Sequence, residues 1–180
     1  MRYLLLCLAA MCSYAAVAQL SPEELRKHAS ELRHQARVQE REIKTAEFKK
    51  HIDSIVLTHS YRFLPSSFTR QPAGMTRMIY NPNFQLGVYE DFVDIYLPYI
   101  KGITPPYFIT VLNYTITNPD NYIAKQTNEG WTITFNSSLF SANNYTFTLN
   151  IYGATGEAVL NLSSDLYNTV TYNGTIMGNY

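Results

Sequence analysis

The groups able to carry acid–base or nucleophilic chemistry are unevenly placed in this 180-residue chain. All four histidines, His28, His34, His51 and His59, precede Ser60, and no His or Cys follows. A serine or cysteine nucleophile needs a base beside it, and zinc favours His and Cys ligands. Only His51 or His59 lies close enough to the later sequence to serve. His59 precedes a strand and reads as a surface or capping residue, without a partner pattern. Glu90, Asp91 and Asp94 form the one local group of carboxylates. Paired carboxylates can cut a glycosidic bond, and a group of hard oxygens can hold Ca²⁺. Glu90-Asp91 falls where a hairpin turn is expected, and Asp94 alternates with inward Val93 and Ile95, so a solvated turn is the expectation. The regular spacing of a calcium loop is missing.

Aromatic side chains are the richer inventory, with 15 tyrosines. Tyr89 and Tyr96, with Phe92, should occupy the face opposite Leu86, Val93 and Ile95. There they could stack on a sugar or receive a protein. Tyr99, Tyr107 and the Pro105-Pro106 loop could rim a pocket. These four tyrosines are the binding candidates; the competing reading is that both faces are covered by other elements.

Other chemistries find no support. No phosphate loop or dinucleotide fingerprint is present, and no cofactor is expected. Lys+Arg and Asp+Glu balance at 14 each. After Lys50 the only lysines and arginines are Arg62, Arg70, Arg77, Lys101 and Lys125. No basic stripe exists for nucleic acid. An envelope glycan, lipid or protein remains as the partner class.

The elements that would position these residues begin with a leader. Arg2, the run Leu4 to Met11 and the small-x-small Ala16-Val17-Ala18 read as an export signal cut after Ala18. The apolar run is short for a membrane span. Cys7 and Cys12 are the only cysteines. Both lie in this leader, and Met11 before Cys12 argues against lipidation. The mature chain is then free of cysteine and rests on core packing.

Residues 19–56 read as one charged amphipathic helix. Ser21-Pro22-Glu23-Glu24 makes a capping box with proline at the first helical position, and Leu20 and Leu25 make a staple. Leu25, Ala29, Leu32, Ala36 and Ile43 form a thin apolar stripe. It thickens at Phe48, Ile52, Ile55 and Val56, the end expected to dock. Asp53-Ser54-Ile55 resembles a short acceptor for O-glycosylation, and Asn-x-Ser/Thr occurs at Asn113, Asn136, Asn144, Asn161 and Asn173.

Residues 57–180 read as an antiparallel β domain of eight or nine strands, a sandwich or small barrel. Trp131, Ile133 and Phe135 alternate with polar residues. Tyr145 to Ile151, Ala158 to Leu162, and Val170 with Tyr172 do the same. Phe84, Leu86 and Val88 make one strand; Val93, Ile95 and Leu97 the next, ended by Pro98. Ile109, Val111 and Tyr114 lead into the Asn118-Pro119-Asp120 turn. Asn128-Glu129-Gly130, Gly153 to Gly156, and Asn173-Gly174 supply further turns. Gln71 to Gly74 and Gly102 to Pro106 read as loops.

The run Leu97 to Gly102, the strand Trp131 to Phe135 and the sequence from Tyr145 to Gly174 form one spaced set. With the leader and charged helix, this set resembles the exported Bacteroidetes proteins grouped as domain-of-unknown-function family 4251. The resemblance implies an exported β protein and transfers no catalytic residue. The expected function is therefore that of an exported, non-enzymatic envelope scaffold that binds a ligand or partner. The alternatives are an adaptor that associates through the N-terminal helix, and a hydrolase built on Glu90 or Asp94.

Overall fold

The computed structural model describes residues 21–102, 104–139 and 143–179. The leader, its cleavage point and Leu20 lie outside them. The chain divides into two compact units, Met1–Lys44 and Thr45–Tyr180. Helix α1 runs from Pro22 to Leu57.

The start of α1 is fixed by the expected box. The Ser21 amide donates to Glu24 Oε2 at 2.8 Å, and the Glu24 amide donates to Ser21 Oγ at 3.3 Å. These bonds hold the Glu24 carboxyl below its ordinary range. In the same unit Lys44 Nζ meets Glu40 Oε1 at 2.6 Å, the expected i,i+4 pair. In the second unit, Ile52, Ile55 and Val56 are the buried residues of α1. Trp131 Nε1 donates to Asp53 Oδ1 at 2.7 Å, which ties this end of the helix to the sheet.

Among the described residues ten strands follow: β1 (Tyr61–Arg70), β2 (Arg77–Met78), β3 (Gln85–Val88), β4 (Phe92–Lys101), β5 (Phe108–Thr117), β6 (Asp120–Gln126), β7 (Gly130–Leu139), β8 (Asn143–Tyr152), β9 (Glu157–Ser164) and β10 (Val170–Gly178). They form one sheet in the order β5-β4-β3-β1-β10-β9-β8-β7-β6, with β2 added beside β1. Every strand pairing among the described residues is antiparallel. The edge strands β5 and β6 are consecutive in the chain, joined by Asn118-Pro119. A flat sheet would hold its edges far apart. The tight link therefore requires the sheet to curl back on itself as a half-barrel.

The alternation places one side chain in two inside the curl. Phe63, Leu86, Ile95, Leu97, Phe135, Phe147, Leu149, Leu160 and Leu162 are fully buried there. Phe135 stacks on Phe147 with centroids 4.7 Å apart. Tyr61, from the middle of the sheet, meets Tyr122 of edge strand β6 hydroxyl to hydroxyl at 3.0 Å. That contact spans the curl. The half-barrel is thus filled by its own side chains.

Three local expectations are corrected. Pro98 does not end its strand: β4 continues to Lys101, and Pro98 pairs with Val111. Proline has no amide to donate, and it sits in a non-hydrogen-bonded pair, its carbonyl pointing away from β5. On that other side β3 has already stopped, with Gln85 opposite Tyr96. Asn173-Gly174 is not a turn: β10 runs through it, past a bulge between Pro65 and Ser67 of β1. A Cβ on Gly174 would run into the Leu64 carbonyl, so glycine serves close strand approach here. Phe84 lies before β3 rather than in it, where its amide reaches the Asn81 carbonyl.

Candidate functional site: an apolar cleft where the sheet is interrupted

β3 and β2 are too short to cover the full length between β1 and β4. Beyond Tyr96, β4 has no described strand on its β3 side. The Tyr172 hydroxyl, from β10, reaches the Pro98 carbonyl there at 2.7 Å. The segment from Arg77 to Phe84 occupies the interruption. Met78 pairs with Ser67, and the Ile79 amide donates to the Ser66 carbonyl at 2.9 Å. An Asx turn follows, the Asn83 amide donating to Asn81 Oδ1 at 3.0 Å. Phe84 then stacks on Tyr96 at 4.9 Å.

The result is a cleft of about 390 Å³. One wall is Met78, Ile79, Tyr80 and Phe84; the other is Pro98, Ile109 and Val111, with Phe68 between them. Pro98, Ile109 and Val111 are register partners or alternate neighbours on one face of β4 and β5. Met78 is 59% exposed and Tyr80 is 89% exposed. Arg77 supplies the one positive side chain of the lining. Leaving large apolar groups in water forgoes about 25 cal/mol for each Å² left uncovered. A gathering of them around a concavity marks a contact surface. A larger depression, about 470 Å³, lies by the Asn128-Glu129 turn, where Trp131, Ile151 and Tyr152 share the lining about equally with polar groups such as Asn128, Glu129 and Asn150.

The four tyrosines singled out by sequence do not form one site. Tyr99 is buried, donates to the Asn168 carbonyl at 3.0 Å and meets Tyr145 edge-on. Burial pushes its phenol well above the ordinary range. Tyr107 is half-buried under the Arg70 guanidinium, 4.1 Å from its ring centre. Tyr96 is half-buried on the outer face and backs Phe84 of the cleft wall. Tyr89 stacks on Phe92 at 4.4 Å. With His59, Glu90 and Tyr122 it borders a separate depression of about 290 Å³.

The carboxylates are also dispersed. Glu90 and Asp91 are exposed in the expected β3–β4 turn, where the Asp91 carbonyl accepts from the Asn118 amide at 3.0 Å. Asp94 Oδ1 accepts from Thr115 Oγ1 at 3.0 Å across β4 and β5. Among the described residues no group of three or more His, Cys, Asp or Glu could hold a metal ion.

His59 closes α1. The Ser60 amide donates to the Ile55 carbonyl and the His59 amide to the Val56 carbonyl, a Schellman pair, with His59 at φ 49°. Its ring leans on Tyr122 at 4.7 Å. His51 is exposed on the helix. In the acceptor-like tripeptide Ser54 is exposed, whereas Ile55 is buried and Asp53 holds Trp131.

Residues 43–176 match the family model described as a domain of unknown function, DUF4251. The chain belongs to this family. Its fold is similar to that of a solved DUF4251 family protein from Bacteroides eggerthii, at 9% identity and a TM-score of 0.56, over 74% of this chain and 89% of that one. No curated protein matches. In this DUF4251 chain no described helix is long and apolar enough to cross a membrane.

Sequence reasoning passed over Arg77, Met78, Ile79 and Tyr80. Their stretch has no period-two or helical pattern, because it bridges an interruption instead of extending a strand. The available signal was the cluster of apolar residues without periodicity from Met75 to Tyr80.

Proposed function

We propose that this chain is an exported, non-enzymatic binding scaffold of the cell envelope, and that it takes an apolar group of its ligand into the cleft between the Arg77–Phe84 segment and β5. The leader Met1 to Ala18 supports export. The observation that carries the binding reading is the exposure of Met78, Tyr80, Ile109 and Val111 about one concavity, while the half-barrel interior is occupied by its own side chains. A scaffold with a filled interior must bind on its surface.

Laurate, offered below its micelle concentration, is a suitable probe: it joins an apolar chain to an anion that Arg77 can meet. Titration followed by amide shifts is expected to move Met78, Tyr80 and Val111 together. Met78→Glu should weaken binding by about tenfold, through lost apolar burial and charge repulsion. A titration that moves no amide of the cleft contradicts the reading. A second reading, an adaptor helix, draws on the exposure of Leu25, Leu32 and Ile43 along the first unit. It requires that Leu32→Lys abolish capture of a partner.

A further inference from the structure

The two edges of the sheet are built differently. A free edge invites another strand unless charge, proline or a bulge discourages it. β6 carries such devices: Asp120 and Lys125, a register shift between Asp120 and Ile123, and Asn121 at φ 52°. β5 carries none. Its sequence, Phe-Ile-Thr-Val-Leu-Asn-Tyr-Thr-Ile-Thr, has no charge and no proline, and no charged residue occurs between Lys101 and Asp120. Phe108, Ile109 and Val111 are 64%, 53% and 43% exposed. These three lie in the first half of β5. The second half runs into the Asn118-Pro119 link to β6 and is less free.

We propose that two copies of this chain associate through β5, edge to edge and antiparallel, about a twofold axis at Thr110. The occupant is a second copy because the free half of the strand is self-complementary about that residue. An axis perpendicular to the sheet keeps each outer face on the same side. It sets Ile109 against Val111 of the other copy, twice, on the outer face. On the inner face it sets Phe108 against Leu112, twice, with Thr110 against Thr110 at the centre. β-branched and aromatic cross-strand pairs of this kind stabilise antiparallel ladders, and no like charges meet. The backbone amides and carbonyls left open on the edge complete their hydrogen bonds. The proposal does not rest on the ligand reading, since it needs no ligand.

Sedimentation equilibrium of the full chain should show a reversible dimer at micromolar to hundreds-of-micromolar concentrations. The pair Ile109→Lys with Val111→Lys places lysine opposite lysine and should weaken the dimer by about 100-fold. Ile109→Glu with Val111→Glu should do the same. Mixing the lysine and glutamate proteins should restore a one-to-one heterodimer. Directly opposed residues in a ladder lie about 4.5–5.5 Å apart, within disulfide reach. Thr110→Cys, in a chain with Cys7 and Cys12 changed to Ser, should therefore give a disulfide-linked dimer on mild oxidation. A monomeric wild-type chain throughout this range overturns the proposal. So does a dimer that survives both charged pairs. Where a charged pair fails to fold by circular dichroism, the cysteine variant decides, and a folded Thr110→Cys protein that does not cross-link overturns it too.

Discussion

His59 illustrates how far one residue type can be read. Its isolation from any nucleophile and its place before a strand pointed to a cap, and the Schellman bonds put it there. The sequence could not show that it occupies the left-handed conformation, because that region is ordinarily given to Gly or Asn. A β-carbon in that region costs about 1 kcal/mol. His59→Gly should therefore raise stability only slightly, by up to about 0.6 kcal/mol, after glycine's larger unfolded-state entropy is subtracted. Urea unfolding checks this, and a variant less stable than wild type would show that the ring contact with Tyr122 outweighs the strain. The tyrosines make the complementary point. Their identity suggested contact surfaces, yet a phenol suits a buried ring with one hydrogen bond equally well. Tyr99 and Tyr172, each donating to a backbone carbonyl, took that second role.

At the scale of elements, what alternates was legible and what interrupts was not. Helix α1, expected over residues 19–56, runs from Pro22 to Leu57, close to its reading because a capping box is a local chemical device. Strands β7, β8 and β9 followed from alternation, which burial enforces one residue in two. The failures share a cause. Pro98, Asn173-Gly174 and Phe84 were judged by local preference, and each is decided by what lies across the ladder. Proline continues a strand because its neighbour β3 has stopped. Asn-Gly stays extended because β1 bulges opposite it. Phe84 leaves the strand pattern to stack on Tyr96. β6 was not singled out at all: Asp120 to Gln126 is short, polar and bulged. The cleft follows from the same interruption, so it was hidden for the same reason.

The half-barrel as a whole is a curled sheet closed over aromatic and aliphatic side chains, and its response to pH follows from that. Burial raises the phenols of Tyr61, Tyr172, Tyr99, Tyr114 and Tyr122 above the ordinary value of 10.0. A raised folded-state value favours the neutral form, so this stability is complete below the unfolded tyrosine range. It is lost as pH rises above it, where the unfolded chain sheds protons that the folded chain retains. Each such phenol should remove at most about 1.4 kcal/mol per pH unit above about 10, and only until its own folded-state range is reached. Guanidinium unfolding at pH 8 and pH 11 should show the fall, and Tyr61→Phe should lessen it. Equal stability at the two values would mean that these rings are open to solvent in the folded chain.

The same filled interior is the reason the proposed ligand site is placed on the outside of the sheet. A laurate analogue carrying a diazirine at its chain end, photolysed on the full chain and mapped by peptide mass, tests this directly. Labels should concentrate on Arg77 to Phe84 and on Ile109 to Val111. Labels on Phe147, Leu160 or Tyr172, inside the curl, would contradict the account.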